Sequence, residues 1–162
     1  MPPSNLHPAK PEHVRFGRAL GTRRVISARD SGGAFGLVEH DLPARQLGSP
    51  IHMHEIEDEY SYVLSGWLSA QIGDAVIHAE AGQMIAKPRG VPHAFWNSGS
   101  ETVRFLEFIT PGGFEEYFFE LAVPINAREM EAMAVIRGRY RLSVRPESVP
   151  ELLARYDLEP MF

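Results

Sequence analysis

At 162 residues, with 44% apolar and 23% charged, the chain has the composition of one globular domain rather than of a disordered segment. Sixteen basic against twenty-one acidic residues leave a formal charge of -5, which offers no cationic face to nucleic acid or to an anionic bilayer, so neither partner is expected. Cysteine is absent, which excludes disulfide scaffolds, thiolate nucleophiles and Cys-based zinc or iron–sulfur centres; any metal must be held by nitrogen and oxygen. The start, MPPSNLHPAKPEH, has no basic region followed by an apolar run, and no stretch approaches the length of a membrane span, so a cytoplasmic enzyme or binding protein is expected.

Residues 1–13 carry four prolines and almost nothing apolar, which predicts a flexible or extended arm that orders only against a neighbouring subunit. From Val14 the pattern changes. Short, partly alternating runs follow at 22–29, 35–42, 59–72, 75–80, 83–88, 92–97 and 102–109, separated by turn signals such as Ser31-Gly32-Gly33, Gly48-Ser49-Pro50, Gly73-Asp74 and Arg89-Gly90. Strands recurring this regularly predict an all-β sandwich or barrel over 14–110.

After Pro111 the grammar becomes helical. GGFEEYFFELA places Phe114, Phe118 and Leu121 on one side, and NAREMEAMAVIRG opens with Asn126 in a cap position and closes on a basic turn before Gly138. PESVPELLARYD then sets Leu152, Leu153 and Tyr156 on one face, with proline tolerated in the first turn. Residues 111–162 are too short for a core of their own, so they are expected to pack on the outside of the β body or on a partner.

The stretch HMHEIEDEY, residues 52–60, concentrates donor chemistry. Residues i and i+2 of a strand point the same way, so His52 and His54 present two imidazoles to one point, with Met53 on the opposite face. A carboxylate beyond a short turn can fill a third position. Glu55, Glu57, Asp58 and Glu59 are all available, and Glu59, which begins the next strand, is the best anchored. A second stretch, GQMIAKPRGVPHAFWN at 82–97, leads through a tight reversal at Gly90 to His93, with Phe95 and Asn97 on the same face by parity. Two such hairpins in an antiparallel barrel can bring His93 opposite the His52 and His54 pair.

These two stretches resemble the motifs of the cupin superfamily. Its first motif runs Gly, His-x-His, three or four residues, Glu, six residues, Gly; here four residues separate His54 from Glu59 and six separate Glu59 from Gly66. Its second motif is matched at Gly82, Pro88, Gly90, His93 and Asn97. One departure stands upstream, where three residues separate Gly48 from His52 in place of the family's usual five; that glycine is read as shaping a turn. The resemblance implies a double-stranded β-helix, a jelly-roll-like barrel with C-terminal α-helices, and implies His52, His54, Glu59 and His93 as ligands of one divalent metal. A weaker likeness of the C-terminal third points to small single-domain cupins of the quercetin-dioxygenase-like kind.

Other candidates read more plainly. His7, His13, His40 and His78 are assigned no site role, and Glu55, Glu57 and Asp58 are read as a solvated turn at the barrel mouth. Phe95 and Trp96 are wall aromatics, Phe95 being the better candidate for touching a substrate. Tyr60 and Tyr62 alternate away from Glu59 and are read as sheet-packing or subunit-contact residues.

Three imidazoles and one carboxylate suit Fe, Mn, Ni, Co, Cu or Zn without selecting among them, and four protein ligands leave one or two positions open for catalysis. The resemblance implies a dioxygenase-type oxidoreductase acting on a small aromatic or enolic molecule, with Glu59 as ligand or, with a raised pKa, as catalytic base. The alternatives are a non-redox metal-dependent isomerase or lyase and a non-catalytic small-molecule binder. The resemblance also implies a homodimer paired through barrel faces and exchanged N-terminal strands, a use the extended arm would fit.

Overall fold

The structure, a computed structural model, describes residues 12–162. The arm expected over 1–13 therefore lies outside the described residues but for its last two positions. Ten strands come first: β1 His13–Arg15, β2 Gly21–Ile26, β3 Gly36–Leu42, β4 Ile51–His54, β5 Asp58–Ser65, β6 Trp67–Ile72, β7 Ala75–Glu80, β8 Met84–Lys87, β9 His93–Trp96 and β10 Val103–Thr110. Helices α1 Glu115–Ala127 and α2 Met130–Arg139 follow, then strand β11 Leu142–Arg145, a short 3-10 turn and helix α3 Val149–Tyr156. Among the described residues no helix is long and apolar enough to cross a membrane.

The strands form two antiparallel sheets, of order β1-β2-β3-β10-β5-β8 and β11-β4-β9-β6-β7. This is the double-stranded β-helix expected from the sequence, and alternation is what makes it. In β10 Val103, Phe105 and Ile109 are buried, and in β5 Val63 shares the inward parity of Glu59 and Ser61. The run 59–72 folds as two strands rather than one. Gly66, at φ +82°, takes the turn between them, a backbone state that side chains other than glycine's rarely adopt.

Two apolar clusters divide the interior. The main one fills the barrel with Val38, Leu42, Val63, Leu68, Ile85, Phe95 and Phe105, and extends to Phe114, Tyr117 and Leu121 of α1. A second, of Leu47, Ala94, Trp96, Leu152 and Leu158, lies under α3, where Trp96 stacks on Tyr156 at 4.0 Å between ring centroids. Strand β9 serves both, since its four residues are all buried, Phe95 joining the main cluster and Ala94 and Trp96 the second.

The helical reading of the C-terminal third holds for three helices but needs two corrections. Asn126 is not a cap. It sits inside α1, which runs on through Pro124 to Ala127, and its side chain accepts from Gly17 N and donates to Arg15 O, tying the helix to the first strand. Strand β11 was not anticipated. Leu142 pairs with His54 and Val144 with His52, so it flanks β4 along its whole length.

Helix α1 also does more than cover the outside. Glu115, fully buried at its first turn, accepts hydrogen bonds from the backbone N–H groups of Ala28 and Gly113. That anchorage swings Phe114, Tyr117, Phe118 and Leu121 over the open end of the barrel, where they line its central cavity.

Candidate metal centre

Register places the donors. His52 of β4 lies directly opposite His93 of β9, and Glu59 of β5 lies directly opposite Lys87 of β8. One donor atom from each of His52, His54, Glu59 and His93 lies within 4.8 Å of the other three. The imidazole centroids are 4.3 Å apart for His52 and His93, 5.3 Å for His52 and His54, and 5.5 Å for His54 and His93. The Glu59 carboxylate completes the cluster, its Oε2 at 3.3 Å from His93 Nε2 and 3.5 Å from His54 Nε2.

The surrounding hydrogen bonds aim these groups. His52 Nδ1 faces the carbonyl of Pro50 at 2.9 Å and His93 Nδ1 that of Val91 at 3.0 Å. A proton on each Nδ1 satisfies those carbonyls and leaves Nε2 as a bare lone pair, the tautomer a metal ligand needs. His54 Nδ1 has no hydrogen-bond partner; Glu57 Oε2 lies 3.4 Å from it, likewise unbonded. His54 Nε2 and His93 Nε2 are buried with no hydrogen-bond partner, a costly state unless a cation takes those lone pairs. The donor set, its burial and its orphaned nitrogens fit one transition-metal ion.

Electrostatics point the same way. Burial, helped by the neighbouring His93 and His54, holds the His52 pKa well below the usual histidine value, and burial lowers that of His93 as well. Both rings are therefore neutral at physiological pH and ready to coordinate. Burial works against ionisation of Glu59, yet the Lys87 ammonium and the neighbouring His54 and His93 outweigh it and hold the carboxyl well below its ordinary range. A catalytic base at this position would need a raised pKa, so the structure favours Glu59 as an anionic ligand.

Beyond the donors lies a wall of charge that the sequence reading passed over. Lys87, 1% exposed, sits between two carboxylates, its Nζ 3.1 Å from Glu59 Oε2 and 2.8 Å from Glu107 Oε2. Burial opposes its charge, but Glu107 and Glu59 together raise its pKa. Ser61, across the ladder from Glu107, donates to the same Oε2 at 2.8 Å. Burial pushes the Glu107 carboxyl up to about 7 against the pull of Lys87. His40, assigned no role from sequence, is also interior, with Nδ1 2.9 Å from Thr22 Oγ1. Burial and the nearby Lys87 depress its pKa to about 4.

His52, Glu59, Lys87, Glu107, His40 and Phe95 all line one cavity of about 90 Å³, whose far side is the aromatic face of α1. That is well below the roughly 300 Å³ of the smallest drug-sized pockets, so the cavity suits a compact ligand. Phe95 lines it, while Trp96 packs under α3. Gly48 lines it too, for a reason other than the turn read from sequence: a Cβ there would come within 2.0 Å of the Phe95 ring.

Several acidic residues of the first motif differ in fate. Glu55 is exposed and Asp58 is paired with Arg89 at 2.7 Å, but Glu57 is buried against His54 rather than solvated. Tyr60 and Tyr62 face away from the donors as alternation requires. His13 and His78 stand apart from the metal cluster, His13 near Asp41 and His78 bonded to Ser69; His7 falls outside the described residues.

The missed wall residues did carry a signal. Lys87 shares parity with buried Ile85, Glu107 with Phe105 and Ile109, and His40 with Val38 and Leu42. A polar residue in the apolar register of a strand is a buried polar residue, and burial of charge demands partners.

Comparison with known proteins agrees with this geometry. Residues 38–109 match the family model described as Cupin domain, a stretch that contains all four donors. No curated protein sequence matches. Among solved structures, a sugar phosphate isomerase from a cupin superfamily of Silicibacter pomeroyi is 24% identical at a TM-score of 0.51, with 58% of this chain and 60% of that one covered. The cupin domain of Schizosaccharomyces pombe Cnp3 is 15% identical at 0.54, covering 65% and 71%. A predicted oxalate decarboxylase from Thermotoga maritima is 23% identical at 0.54, covering 62% and 90%. The alignment thus spans about three-fifths of the first of these proteins. At these identities the likeness speaks for the fold alone. Together with the matched stretch, it supports a cupin-type barrel over residues 38–109.

Proposed function

We propose that this chain is a metal-dependent enzyme of the dioxygenase type, acting on a small aromatic or enolic molecule. The observation that carries the reading is a buried three-histidine, one-glutamate cluster opening onto an aromatic-lined cavity. A metal bound there would act as a Lewis acid toward a substrate oxygen and provide an open position for dioxygen. His52, His54 and His93 would hold the cation through imidazole nitrogens, and Glu59 would offset part of its charge. Lys87 orients the Glu59 carboxylate by hydrogen bonding to Oε2. Phe95, Phe114 and Phe118 exclude water and present apolar surface to the substrate ring or enol.

The test is elemental analysis of untagged protein followed by oxygen-electrode measurements on the iron-, manganese-, nickel- and copper-loaded forms with a panel of small catechols and enolisable 1,3-dicarbonyls. Oxygen uptake that depends on both metal and substrate supports the reading. Tight metal binding with no uptake on any of them contradicts it.

A second reading, a non-redox isomerase or lyase, draws on the Lys87–Glu107 pair in the cavity wall, which offers proton-handling groups that need no dioxygen. Substrate turnover under strict anaerobiosis would select it. The sheet edges also bear on assembly. Trp67, Val76, Ile77 and Met84 are exposed apolar residues on β6, β7 and β8, which supports the proposal of a homodimer; a monomer by light scattering would contradict that.

A further inference from the structure

Several buried polar atoms in and around the cavity have no partner: Ser49 Oγ, His54 Nδ1 and Nε2, Glu57 Oε2, His93 Nε2, Arg137 Nε and Glu107 Oε1. His54 Nε2 and His93 Nε2 await a cation, as argued above. Glu107 Oε1 is a different case. Its carboxylate is 1% exposed and lines the cavity, yet Ser61 and Lys87 both bond to Oε2 and leave Oε1 buried without a partner. An unpaired carboxylate oxygen in an apolar site is unfavourable by far more than an unpaired neutral acceptor. Two neighbours on this wall do not relieve it. Phe95, on the same wall, has no strong donor, and the Lys87 ammonium is already engaged by two carboxylates and lies 5.1 Å from the Phe95 ring centroid.

We propose that Glu107 contacts the substrate directly, its free Oε1 accepting a hydrogen bond from a hydroxyl or N–H group of a compact ligand whose oxygen binds at the metal centre. The inference rests on the reading of this cavity as the substrate site and narrows the substrate class. The molecule carries a donor a few bonds from its metal-binding oxygen; a ligand with acceptors only would leave Oε1 orphaned. Burial, with the Glu59 charge, pushes the Glu107 carboxyl up to about 7 against the pull of Lys87, and a donor arriving from the ligand stabilises the ionised form. Glu107 is also coupled to the centre through Lys87, whose ammonium touches the ligating oxygen of Glu59. One side chain thereby reads the substrate donor and helps hold the counter-ion of a metal ligand.

The experiment compares glycolate with methoxyacetate on zinc-loaded protein by calorimetry. Both present a carboxylate and a second oxygen in the same chelating arrangement, and only glycolate has a donor on that oxygen. The wild-type protein is expected to prefer glycolate by at least about tenfold, the scale of a hydrogen bond to a charged group. In Glu107→Gln the amide oxygen is expected to turn toward Ser61 and Lys87, which places an amide donor where Oε1 stood, and the preference is expected to close to within about threefold. An unchanged preference in Glu107→Gln overturns the proposal, and so does loss of zinc from that variant, which would make Glu107 a structural support of the centre. A second measurement uses wild-type protein alone: the Glu107 carboxyl ¹³C resonance shifts on adding glycolate and not on adding methoxyacetate, and equal responses overturn the proposal. Binding is read on a redox-inert metal without turnover, so failure of the oxygenase reading and failure of this one appear in separate experiments.

Discussion

The two sheets that face each other across the barrel contribute unlike chemistry to one cavity. The five-stranded sheet offers nitrogen: His52 and His54 from β4 and His93 from β9, two of them with pKa values lowered by burial and two fixed in tautomer by backbone carbonyls. The six-stranded sheet offers charge: Glu59, Lys87 and Glu107 in a row across β5, β8 and β10. The nitrogen side gains nothing from burial unless a cation arrives. The charged side is already internally paired, apart from one carboxylate oxygen. One wall supplies the nitrogen donors, and the other sets the charge and hydrogen bonding that a metal and its ligand would meet.

Substitutions on the two walls should therefore fail in different ways. The largest effect is expected from His93→Ala, which removes one of three imidazoles: metal affinity should fall by more than about a hundredfold while apo-protein stability changes little, as measured by metal titration and denaturant unfolding. Equal metal affinity would break the distinction between the walls. Next is Lys87→Met. It leaves Glu59 and Glu107 buried without their shared counter-ion, and unfolding of the apo-protein should become easier by about 3–5 kcal/mol. Added metal should recover part of that loss, because the cation replaces the ammonium as partner of Glu59.

A third expectation concerns pH. His40 has an ordinary pKa of 6.5 when unfolded and about 4 in the fold, so the unfolded chain binds more protons between these values and stability must rise with pH across that window. The neutral ring's contribution, about 3 kcal/mol from the size of the shift, is complete above pH 6.5 and lost as pH falls toward 4. His40→Gln should flatten the pH dependence of denaturant stability by about that amount relative to wild type. The smallest effect is expected from Glu57→Gln, which removes the carboxylate charge beside His54 Nδ1 and should lower metal affinity by about tenfold with no change in fold.

The sequence made much of this readable because strands impose a period of two. The His-x-His pair and the parity of Phe95 with His93 follow from alternation, whereas the choice of Glu59 among four carboxylates and the full donor set come from the resemblance to the cupin motifs. What stayed hidden depends on contacts between distant strands. Nothing local to Glu57 distinguishes it from exposed Glu55; only the packing of the turn against His54 buries it. Gly48 looks like a turn residue until the Phe95 ring is seen above it. Strand β11 has four residues between two helices, too few to announce a strand until β4 supplies its partner. Lys87 and Glu107 were legible by parity yet belong to no motif, and their meaning comes from standing on neighbouring strands beside Glu59.

The central claim is that donors from both sheets converge on one cation. X-ray absorption spectroscopy of the metal-loaded protein tests it most directly. The account predicts one ion per chain with three imidazoles and a carboxylate oxygen at about 2.0–2.2 Å. A first shell with one imidazole or none, or several weakly held ions per chain, would contradict it.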